Sequence, residues 1–237
     1  MKKIVVLSGA GVSADSGVST FRDAGGLWEG HDVMEVASPE GFARNPELVL
    51  EFYNQRRRQL FEVTPNAGHR ALAGLEDHYE VHVVTQNVDD LHERAGSSRV
   101  IHLHGELLKA RSTGPRQTVY PWKKDLGMED RCEDGYPLRP HIVWFGEPVP
   151  LLETGAFLAR QADILIVVGT SLQVYPAAGL IHYKKPEAPL YLIDPNPALR
   201  AGELERLEII AERSAVGLPI LADLLIHRAS GPVGPRP

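Results

Sequence analysis

The sequence contains only one cysteine, Cys132, in 237 residues. A single thiol cannot form a disulfide within the chain, and it excludes the zinc sites that are built from four cysteines. Basic residues are also few, because 25 Lys and Arg stand against 31 Asp and Glu, whereas nucleic-acid-binding domains usually carry a clear cationic excess. No apolar stretch approaches the roughly 18 residues of a membrane helix. We therefore expect a cytoplasmic protein that binds neither nucleic acid nor membranes.

The sequence does have the composition of a folded domain, with 43% hydrophobic and 24% charged residues. Six short aliphatic runs are typical of buried parallel strands. They lie at residues 4–7, 81–85, 100–103, 141–145, 164–169 and 190–193. Apolar residues at helical spacing predict helices at residues 48–61 and 67–79. Strands that alternate with helices predict an α/β fold with a doubly wound parallel sheet.

A glycine-rich segment, GAGVSA at residues 9–14, follows the first predicted strand directly. It matches the G-x-G-x-x-G/A phosphate fingerprint of Rossmann-like domains, in which glycines let the backbone approach a pyrophosphate. A simple strand-to-helix turn would have the same residues. Dehydrogenases place an acidic residue at a strand end about 20 residues further on, but residues 21–28 have the composition of a loop, which disfavours hydride transfer. Two later strand ends, at residues 169–171 and at Asp194, are further candidates for cofactor contacts, although local turns favour the same residue types.

Two segments interrupt the alternation of strands and helices. Residues 27–61 carry helical material between the first two strands, and residues 109–140 are polar and rich in turn-forming residues. We predict that these segments form a small inserted domain, and that residues 228–237 form a disordered tail. The Rossmann-like domain is predicted to comprise residues 1–26, 62–108 and 141–227.

Polar side chains follow two neighbouring predicted strands. Gln86, Asn87 and Asp89 come directly after one of them, where amide groups suit a carboxamide such as nicotinamide. A turn that caps the next helix would explain the same residues. His102 and His104 follow the next strand and share a face by the period of two, with His104 nearer the exposed end. Either histidine taken alone could equally be structural.

The order of the motifs resembles that of the sirtuin family, from residue 4 to about residue 225. The matching segments are GAGVSADSG (9–17), TFRD (20–23), TQNVD (85–89), HLHGE (102–106), PHIVWFGE (140–147) and GTS (169–171). The resemblance implies NAD as cofactor and acylated lysine side chains of proteins as substrates, with release of nicotinamide and O-acyl-ADP-ribose. An NAD hydrolase or ADP-ribosyltransferase, or a sensor of NAD or ADP-ribose without catalysis, could be built on the same scaffold.

The resemblance also implies a role for individual residues. His104 would be the base that activates a hydroxyl of the nicotinamide ribose, with Asn87 as the second catalytic residue, and imidazole suits this because it titrates near neutral pH. The segment with Val143, Phe145, Gly146 and Glu147 would pair with the peptide substrate as an added strand. The implied cofactor-binding residues are Gly9, Ala10, Gly11, Ser13, Asp15, Phe21, Arg22, Trp28, Gln86, Asn87, Asp89, His104, Gly169, Thr170, Ser171, Asp194, Asn196 and Ala215.

Tyr53 and Arg56 lie three residues apart and share one face of a predicted helix. By itself, Arg56 would be interpreted as a solvated surface charge. The Tyr-x-x-Arg pair nevertheless resembles that of class III sirtuins, in which the hydroxyl and the guanidinium bind the distal carboxylate of a succinyl or malonyl group. Ala37 stands where those enzymes have a small residue that widens the acyl pocket. The resemblance therefore implies desuccinylation and demalonylation, together with deacetylation.

The chain departs from the family pattern in two places. Most sirtuins bind zinc through two pairs of cysteines in the module that corresponds to residues 109–140, so this module resembles a zinc ribbon that lacks its cysteines, and we expect no structural zinc. It would be held by packing of Tyr120, Trp122, Met128 and Tyr136 against the sheet. Asp194 stands where the family usually has asparagine, and its carboxylate can accept from ribose hydroxyls but cannot donate. We expect a monomer.

Overall fold

The computed structural model describes residues 1–18, 27–28 and 30–229. Within these residues the strands are β1 (Lys3–Ser8), β2 (Leu27–Trp28), β3 (His31–Asp32), β4 (Glu80–Thr85), β5 (Val100–His102), β6 (Gly105–Ser112), β7 (Val119–Pro121), β8 (Leu138–Ile142), β9 (Ile164–Val168), β10 (Leu190–Ile193) and β11 (Leu207–Ile210). The α-helices are α1 (Gly11–Ala14), α2 (Val33–Val36), α3 (Pro39–Arg44), α4 (Pro46–Leu60), α5 (Ala67–Gly74), α6 (Leu91–Ala95), α7 (Leu152–Gln161) and α8 (Ser214–Ala229). Two 3-10 helices cover Leu75–Asp77 and Ala177–Tyr183.

The main sheet has six parallel strands in the order β11-β10-β9-β1-β4-β5. The chain builds outward from β1 through β4 to β5, and it then returns to the other side of β1 to add β9, β10 and β11. The strand order thus reverses beside β1, and open α/β sheets bind ligands at the carboxyl ends of the strands at such a point. The predicted doubly wound sheet is confirmed, and β11, a half-buried edge strand with a weak apolar signal, was not predicted.

Both faces of this sheet are covered, which explains why its strands are almost continuously apolar. On one face of the sheet, Val6 and its neighbours pack against Leu72 of α5 and Leu218 of α8. Val5, which points the opposite way by the period of two, belongs to the cluster with Leu158 of α7. Burying one such aliphatic side chain stabilises the fold by about 1.5–3 kcal/mol relative to its exposure, so the sheet is a rigid support for the loops at its edge.

A second, antiparallel sheet has the strand order β7-β6-β8. The prediction of a parallel strand at residues 141–145 was wrong, because β8 ends at Ile142 and pairs with β6 outside the main sheet. An apolar run reports burial and does not reveal which strand is the partner. Strands β6 and β8 each extend across a predicted domain boundary, so the division at residues 108/109 and 140/141 stays a prediction.

The cysteine-poor module packs through aliphatic side chains more than through the predicted aromatic ones. Ala110, Leu126 and Leu138 of the module form a buried cluster with Leu50 of α4. Tyr120 and Trp122 are partly buried against this cluster. Met128 and Tyr136 were predicted to join this core, but they are 45% and 44% exposed. They lie in the turn-rich segment that ends the module.

Helix α4 also binds this module through polar groups. The buried Asn54 amide donates to the Leu126 carbonyl at 3.1 Å and accepts from the Leu126 N–H at 2.8 Å. Arg57, which is buried as well, donates to the Asn54 side-chain oxygen at 2.6 Å and to the Leu107 carbonyl at 3.0 Å. These bonds satisfy backbone groups of Leu107 and Leu126, which would be costly to bury unpaired.

The C-terminal helix α8 continues to Ala229, so the predicted disordered tail is wrong for residues 228 and 229. The Arg228 guanidinium donates to the Tyr191 hydroxyl at 2.8 Å and ties the helix end to β10. Residues 230–237 of the predicted tail lie outside the described residues. Among the helices that the structure describes, none combines the length and the apolar character needed to cross a membrane.

Candidate active site

A cleft of about 550 Å³ lies at the carboxyl ends of β10, β9, β1, β4 and β5. It brings together most residues that were predicted to bind cofactor or substrate. Those that line it are Gly9, Ala10, Gly11, Asp15, Trp28, Ala37, Tyr53, Gln86, Asn87, Asp89, His104, Val143, Phe145, Gly146, Glu147, Gly169, Thr170, Ser171, Asp194 and Asn196. Three predicted residues, Ser13, Arg56 and Ala215, do not line this cleft. Phe21 and Arg22 lie outside the described residues.

The floor of the cleft is made by two glycine-containing loops in contact, after β1 and after β9. The Gly11 N–H donates to the Gly169 carbonyl at 2.9 Å, and a Cβ on Gly11 would lie only 2.7 Å from the Gly169 Cα. Gly169 has φ +61°, and a Cβ there would lie 2.3 Å from the Val12 nitrogen. Only glycine allows this approach, which leaves the loops free of side chains at the centre of the cleft.

His104 lies between β5 and β6 and is partly buried in the cleft wall. Its Nδ1 lies 3.1 Å from the Gln86 carbonyl oxygen. Because a carbonyl can only accept, Nδ1 carries the proton and Nε2 is left with a lone pair. Burial lowers the pKa of His104, although the hydrogen bond to Gln86 opposes this shift. The imidazole is therefore neutral at neutral pH and can act as a base.

His102 differs from His104 in both contacts and charge. Its Nδ1 binds the Asn87 carbonyl at 2.9 Å and its Nε2 binds the Glu93 carboxylate at 2.7 Å. Burial disfavours the protonated form, but the hydrogen bond and charge of Glu93 outweigh this and raise the pKa of His102. Both ring nitrogens of His102 are occupied by groups of the chain, which favours the structural interpretation for this histidine.

A buried hydrogen-bond network orients the polar residues that follow β4. The Asn87 amide nitrogen donates to the Ser13 hydroxyl at 3.2 Å, and this hydroxyl donates to the Asp89 carboxylate at 2.9 Å. The Leu91 N–H binds the other Asp89 oxygen at 3.1 Å. Burial raises the pKa of Asp89, and the two hydrogen bonds counteract this. Ser13 thus supports Asn87 and Asp89 from behind, and the Asn87 side-chain oxygen is turned away from Ser13.

The segment predicted to bind peptide, residues 143–147, already uses much of its hydrogen-bonding capacity within the chain. The N–H groups of Val143 and Phe145 donate to the carbonyls of His104 and Ala37, both at 2.9 Å. The Trp144 N–H donates to the Glu147 carboxylate at 2.8 Å. An added peptide strand would have to pair with carbonyl groups of this segment or with the Gly146 N–H.

Glu147 serves as an ion-pair partner in this segment. Its carboxylate accepts from Arg139 at 2.7 and 3.0 Å and from Arg111 at 3.0 Å. Burial alone would raise the pKa of Glu147, but the hydrogen bonds and charges lower it, with Arg139 first among them. The Arg139 guanidinium also stacks on the Trp144 ring, 3.3 Å from its centroid. Glu147 therefore fixes the shape of the loop through these hydrogen bonds, and its role in substrate binding stays a prediction.

A small cavity of about 50 Å³ adjoins the cleft and shares part of its wall, including Trp28, Tyr53 and Asp89. Arg56 lines this cavity, so the interpretation of Arg56 as a solvated surface charge was wrong. Its guanidinium lies 3.5 Å from the Phe52 ring centroid and donates to the Phe52 carbonyl at 2.7 Å. These contacts hold the planar group in one orientation.

The Tyr53 hydroxyl lies beside this cavity and is fully buried. It accepts a hydrogen bond from the Trp144 ring nitrogen at 3.0 Å, which leaves its own proton for donation. Burial raises the pKa of Tyr53, so the phenol stays protonated throughout the physiological range. Ala37 is buried in the wall of the adjoining cleft. The Arg56 guanidinium and the Tyr53 hydroxyl are therefore two hydrogen-bond donors in the lining of one small cavity, which also includes Leu60 and Leu107.

Sequence reasoning missed Arg213, which lies between β11 and α8 and lines the cleft. Its guanidinium donates to the Asp15 carboxylate at 2.9 Å, and the Ala215 N–H binds the other Asp15 oxygen at 3.4 Å. Ala215 therefore supports Asp15 from behind the cleft. A single arginine in a loop carries no periodic or motif signal, and only the fold brings it to Asp15, 198 residues away.

No metal site is evident in the part of the chain that the structure describes. Nowhere in residues 1–18, 27–28 and 30–229 do three or more His, Cys, Asp or Glu side chains lie close enough to hold an ion. Cys132 accepts a hydrogen bond from the Ser112 hydroxyl at 3.3 Å.

Comparison with known proteins agrees with the predicted fold and family. Residues 9–176 match the Sir2 family. An NAD-dependent protein deacylase of Helicobacter pylori (strain J99 / ATCC 700824) is 58% identical over 230 residues, 97% of this chain and 98% of the relative. An NAD-dependent protein deacylase of Bacteroides thetaiotaomicron is 52% identical over 232 residues, 95% of this chain and 99% of the relative. The crystal structure of a Sir2 homolog–NAD complex has a TM-score of 0.86 at 36% identity, and the match covers 96% of this chain and 91% of that one. The chain belongs to the Sir2 family, the sirtuins, as its motifs predicted.

Proposed function

We propose that this protein is an NAD-dependent protein-lysine deacylase that removes succinyl and malonyl groups, and acetyl groups as well. The observation that carries the proposal is the position of Arg56 and Tyr53 in the lining of a small cavity that shares a wall with the cleft containing His104. A base at the reacting end and a carboxylate receptor beside it are what a deacylase for acidic acyl groups requires. The names of the close relatives support the broader activity.

The residues of the cleft fit NAD. The two glycine loops would clash with any side chain at their contact, so they leave backbone at the centre, where a pyrophosphate can approach closely. Gln86, Asn87 and Asp89 present amide and carboxylate groups on the side of His104, which suits a carboxamide and a ribose. When bound, NAD supplies the anomeric carbon that the acyl oxygen attacks as nicotinamide leaves, so that the acyl group ends on ADP-ribose.

The Nε2 atom of His104 takes the proton from the ribose hydroxyl. The bond from Nδ1 to the Gln86 carbonyl fixes both the tautomer and the plane of the ring, and the lowered pKa keeps Nε2 unprotonated at neutral pH. A positioned general base of this kind contributes about 10²–10⁴-fold to a rate. Asn87, whose amide nitrogen is held by Ser13, would direct its side-chain oxygen towards the ribose.

Arg56 and Tyr53 bind the distal carboxylate of the acyl group. The guanidinium is fixed against Phe52, and a planar guanidinium can pair with a carboxylate through two parallel hydrogen bonds. The protonated Tyr53 hydroxyl adds a neutral donor, because its oxygen already accepts from Trp144. An acetyl group lacks the carboxylate and would leave these donors to water.

The proposal is tested with purified protein, NAD and three peptides of one sequence that carry succinyl-lysine, acetyl-lysine or unmodified lysine. Peptide mass and nicotinamide release are followed together. We expect nicotinamide release only with acylated peptides, in equal amount to the lysine that is freed, and the highest kcat/KM with succinyl-lysine. Release that does not depend on peptide would instead identify an NAD hydrolase, and ADP-ribose binding without turnover would identify a sensor.

A further inference from the structure

His69 lies behind the cleft that contains His104 and does not itself line it. It is the third residue of helix α5, and its side chain is fully buried. Its ring nevertheless contacts Ser13 of α1, which is 56 residues away in the chain. Helix α5 is tied to the same segment a second time, because the Asn66 amide donates to the Val12 carbonyl at 2.8 Å. The start of α5 therefore supports α1 from the side opposite the cleft.

The two ring nitrogens of His69 have partners that fix the tautomer. Burial, with the charge of Arg70 adding to the shift, lowers the pKa of His69 to about 4, so the ring is neutral at neutral pH. Its Nδ1 accepts from the Asn66 N–H at 3.3 Å, as part of the capping box that begins α5. A ring nitrogen that accepts carries no proton, so the proton of the neutral ring is on Nε2. Nε2 then donates to the Ser13 hydroxyl oxygen at 3.4 Å.

This bond completes the hydrogen bonding of the Ser13 hydroxyl, which has one proton and two lone pairs. The proton goes to Asp89 at 2.9 Å, and the lone pairs receive the His69 Nε2–H and the Asn87 amide N–H at 3.2 Å. Because Nε2 is itself a donor, Ser13 cannot turn its proton towards His69 and directs it to Asp89. The Asn87 amide must then present its NH₂ group to Ser13, and its side-chain oxygen points the other way.

We propose that His69 is a positioning residue for deacylation, because its bond to Ser13 fixes the amide orientation of Asn87. The inference rests on the proposed function, in which Asn87 and Asp89 bind NAD from the lining of the cleft. Without the Nε2–H donor, one lone pair of Ser13 is left unfilled and the hydroxyl can rotate away from Asp89. The Asn87 amide can then turn over and present donors where its oxygen was. A misplacement of about 1 Å can lower a rate by about 10²-fold.

Two polar substitutions separate this role from the capping of α5. In His69→Gln, the amide nitrogen replaces Nε2 as donor to Ser13, and the acceptor for the Asn66 N–H is lost. In His69→Asn, the shorter side chain keeps an acceptor in place of Nδ1 but has no donor that reaches Ser13. With NAD and an acyl-lysine peptide, we expect kcat of His69→Gln to stay within about threefold of the wild type and kcat of His69→Asn to fall by about 10- to 100-fold. KM for the peptide should change by less than about threefold in both, because His69 does not line the cleft.

Leu72→Ala is the control for a loss of stability in the same helix. Leu72 is buried in the core where α5 packs against α8, so its truncation destabilises the fold but leaves the bond from His69 to Ser13 in place. All variants are assayed at a temperature at which circular dichroism shows them to be folded. We expect kcat of Leu72→Ala to stay within about threefold of the wild type.

Equal losses in His69→Gln and His69→Asn, or full activity of His69→Asn, would overturn the inference. A nitrogen–proton correlation spectrum of the histidine rings reports the tautomer directly, and a proton on Nδ1 of His69 in the wild type would overturn it as well. If the wild type deacylates no peptide, the proposed function fails, and the side-chain amide signals of Asn87 still test the positioning. They should shift in His69→Asn and remain in place in His69→Gln, and the reverse would refute the role of His69.

Discussion

Replacing Arg56 with methionine removes the charged donor of the small cavity and keeps an unbranched side chain that can still pack against Phe52 and Trp28. The substitution leaves His104 and its bond to Gln86 untouched. It therefore separates recognition of the acyl group from the chemistry at the ribose. We expect the variant to lose activity on succinyl-lysine and to retain activity on acetyl-lysine.

The magnitude follows from the type of hydrogen bond that is lost. A hydrogen bond to a charged group contributes about 1.5–3 kcal/mol, and a factor of ten corresponds to about 1.4 kcal/mol. Loss of the guanidinium should thus lower kcat/KM for a succinylated peptide by about 10- to 150-fold. An acetyl group has no carboxylate for Arg56 to bind, so its kcat/KM should change by less than about threefold.

The assay gives both acylated peptides to the same enzyme sample and follows their depletion by mass spectrometry, so that the ratio of kcat/KM values is independent of enzyme concentration. Gln55→Met is the control, because Gln55 is the exposed neighbour of Arg56 on α4, and its side chain donates to Glu51 at 3.1 Å. Equal losses on both peptides, or a succinyl peptide that is turned over as fast as by the wild type, would refute carboxylate recognition by Arg56.

Four further predictions follow from the same contacts. His104→Ala should abolish deacylation while ADP-ribose binding by titration stays within about fivefold of the wild type, and residual turnover above about 1% would remove His104 from the base role. Burial lowers the pKa of His69 to about 4, with the charge of Arg70 adding to the shift. Since unfolded His69 binds a proton below about pH 6.5 and folded His69 only near pH 4, the contribution of His69 to the free energy of unfolding should fall by about 2 kcal/mol between pH 7 and pH 5. Urea unfolding of His69→Gln should show a smaller fall, and an identical pH dependence would contradict this account. Asn54→Ala should lower the free energy of unfolding by about 2–4 kcal/mol, because it leaves both backbone groups of Leu126 unpaired, whereas exposed Gln55→Ala should cost less than about 0.5 kcal/mol. Treatment with EDTA should leave the activity and the melting temperature unchanged, and about one equivalent of zinc by mass spectrometry of the purified protein would contradict the expectation of a zinc-free module.

Local sequence determined the parallel sheet and most of the cleft. Strands covered on both faces must be apolar throughout, so β1, β4, β5, β9 and β10 are visible as short aliphatic runs. The residues that directly follow these strands meet at one edge of the sheet because parallel strands point the same way. His104, Asn87 and Gly169 could therefore be assigned to one site from their places along the chain. The family resemblance supplied the roles that spacing alone left open.

The tertiary structure decided which partner each polar group has. The Nδ1 of His104 meets a backbone carbonyl, whereas both nitrogens of His102 are engaged, and this distinguishes the proposed base from a histidine with structural contacts that lies two residues away. Glu147 lies in a segment that was predicted to bind substrate, and its carboxylate is bound by Arg139 and Arg111. Arg56 turns out to line a cavity because α4 packs beside the cleft.

Two predictions from the sequence were wrong for the same reason, because the partner of a segment cannot be derived from the segment alone. The apolar run at residues 141–145 was assigned to the main sheet, although β8 pairs with β6, and Met128 was assigned to a core that Leu126 and Leu138 form instead. Periodicity is a property of one segment and reports how much of it is buried. Pairing, charge compensation and packing depend on two segments that are distant in the sequence, as with Arg213 and Asp15, and only the folded chain brings them together.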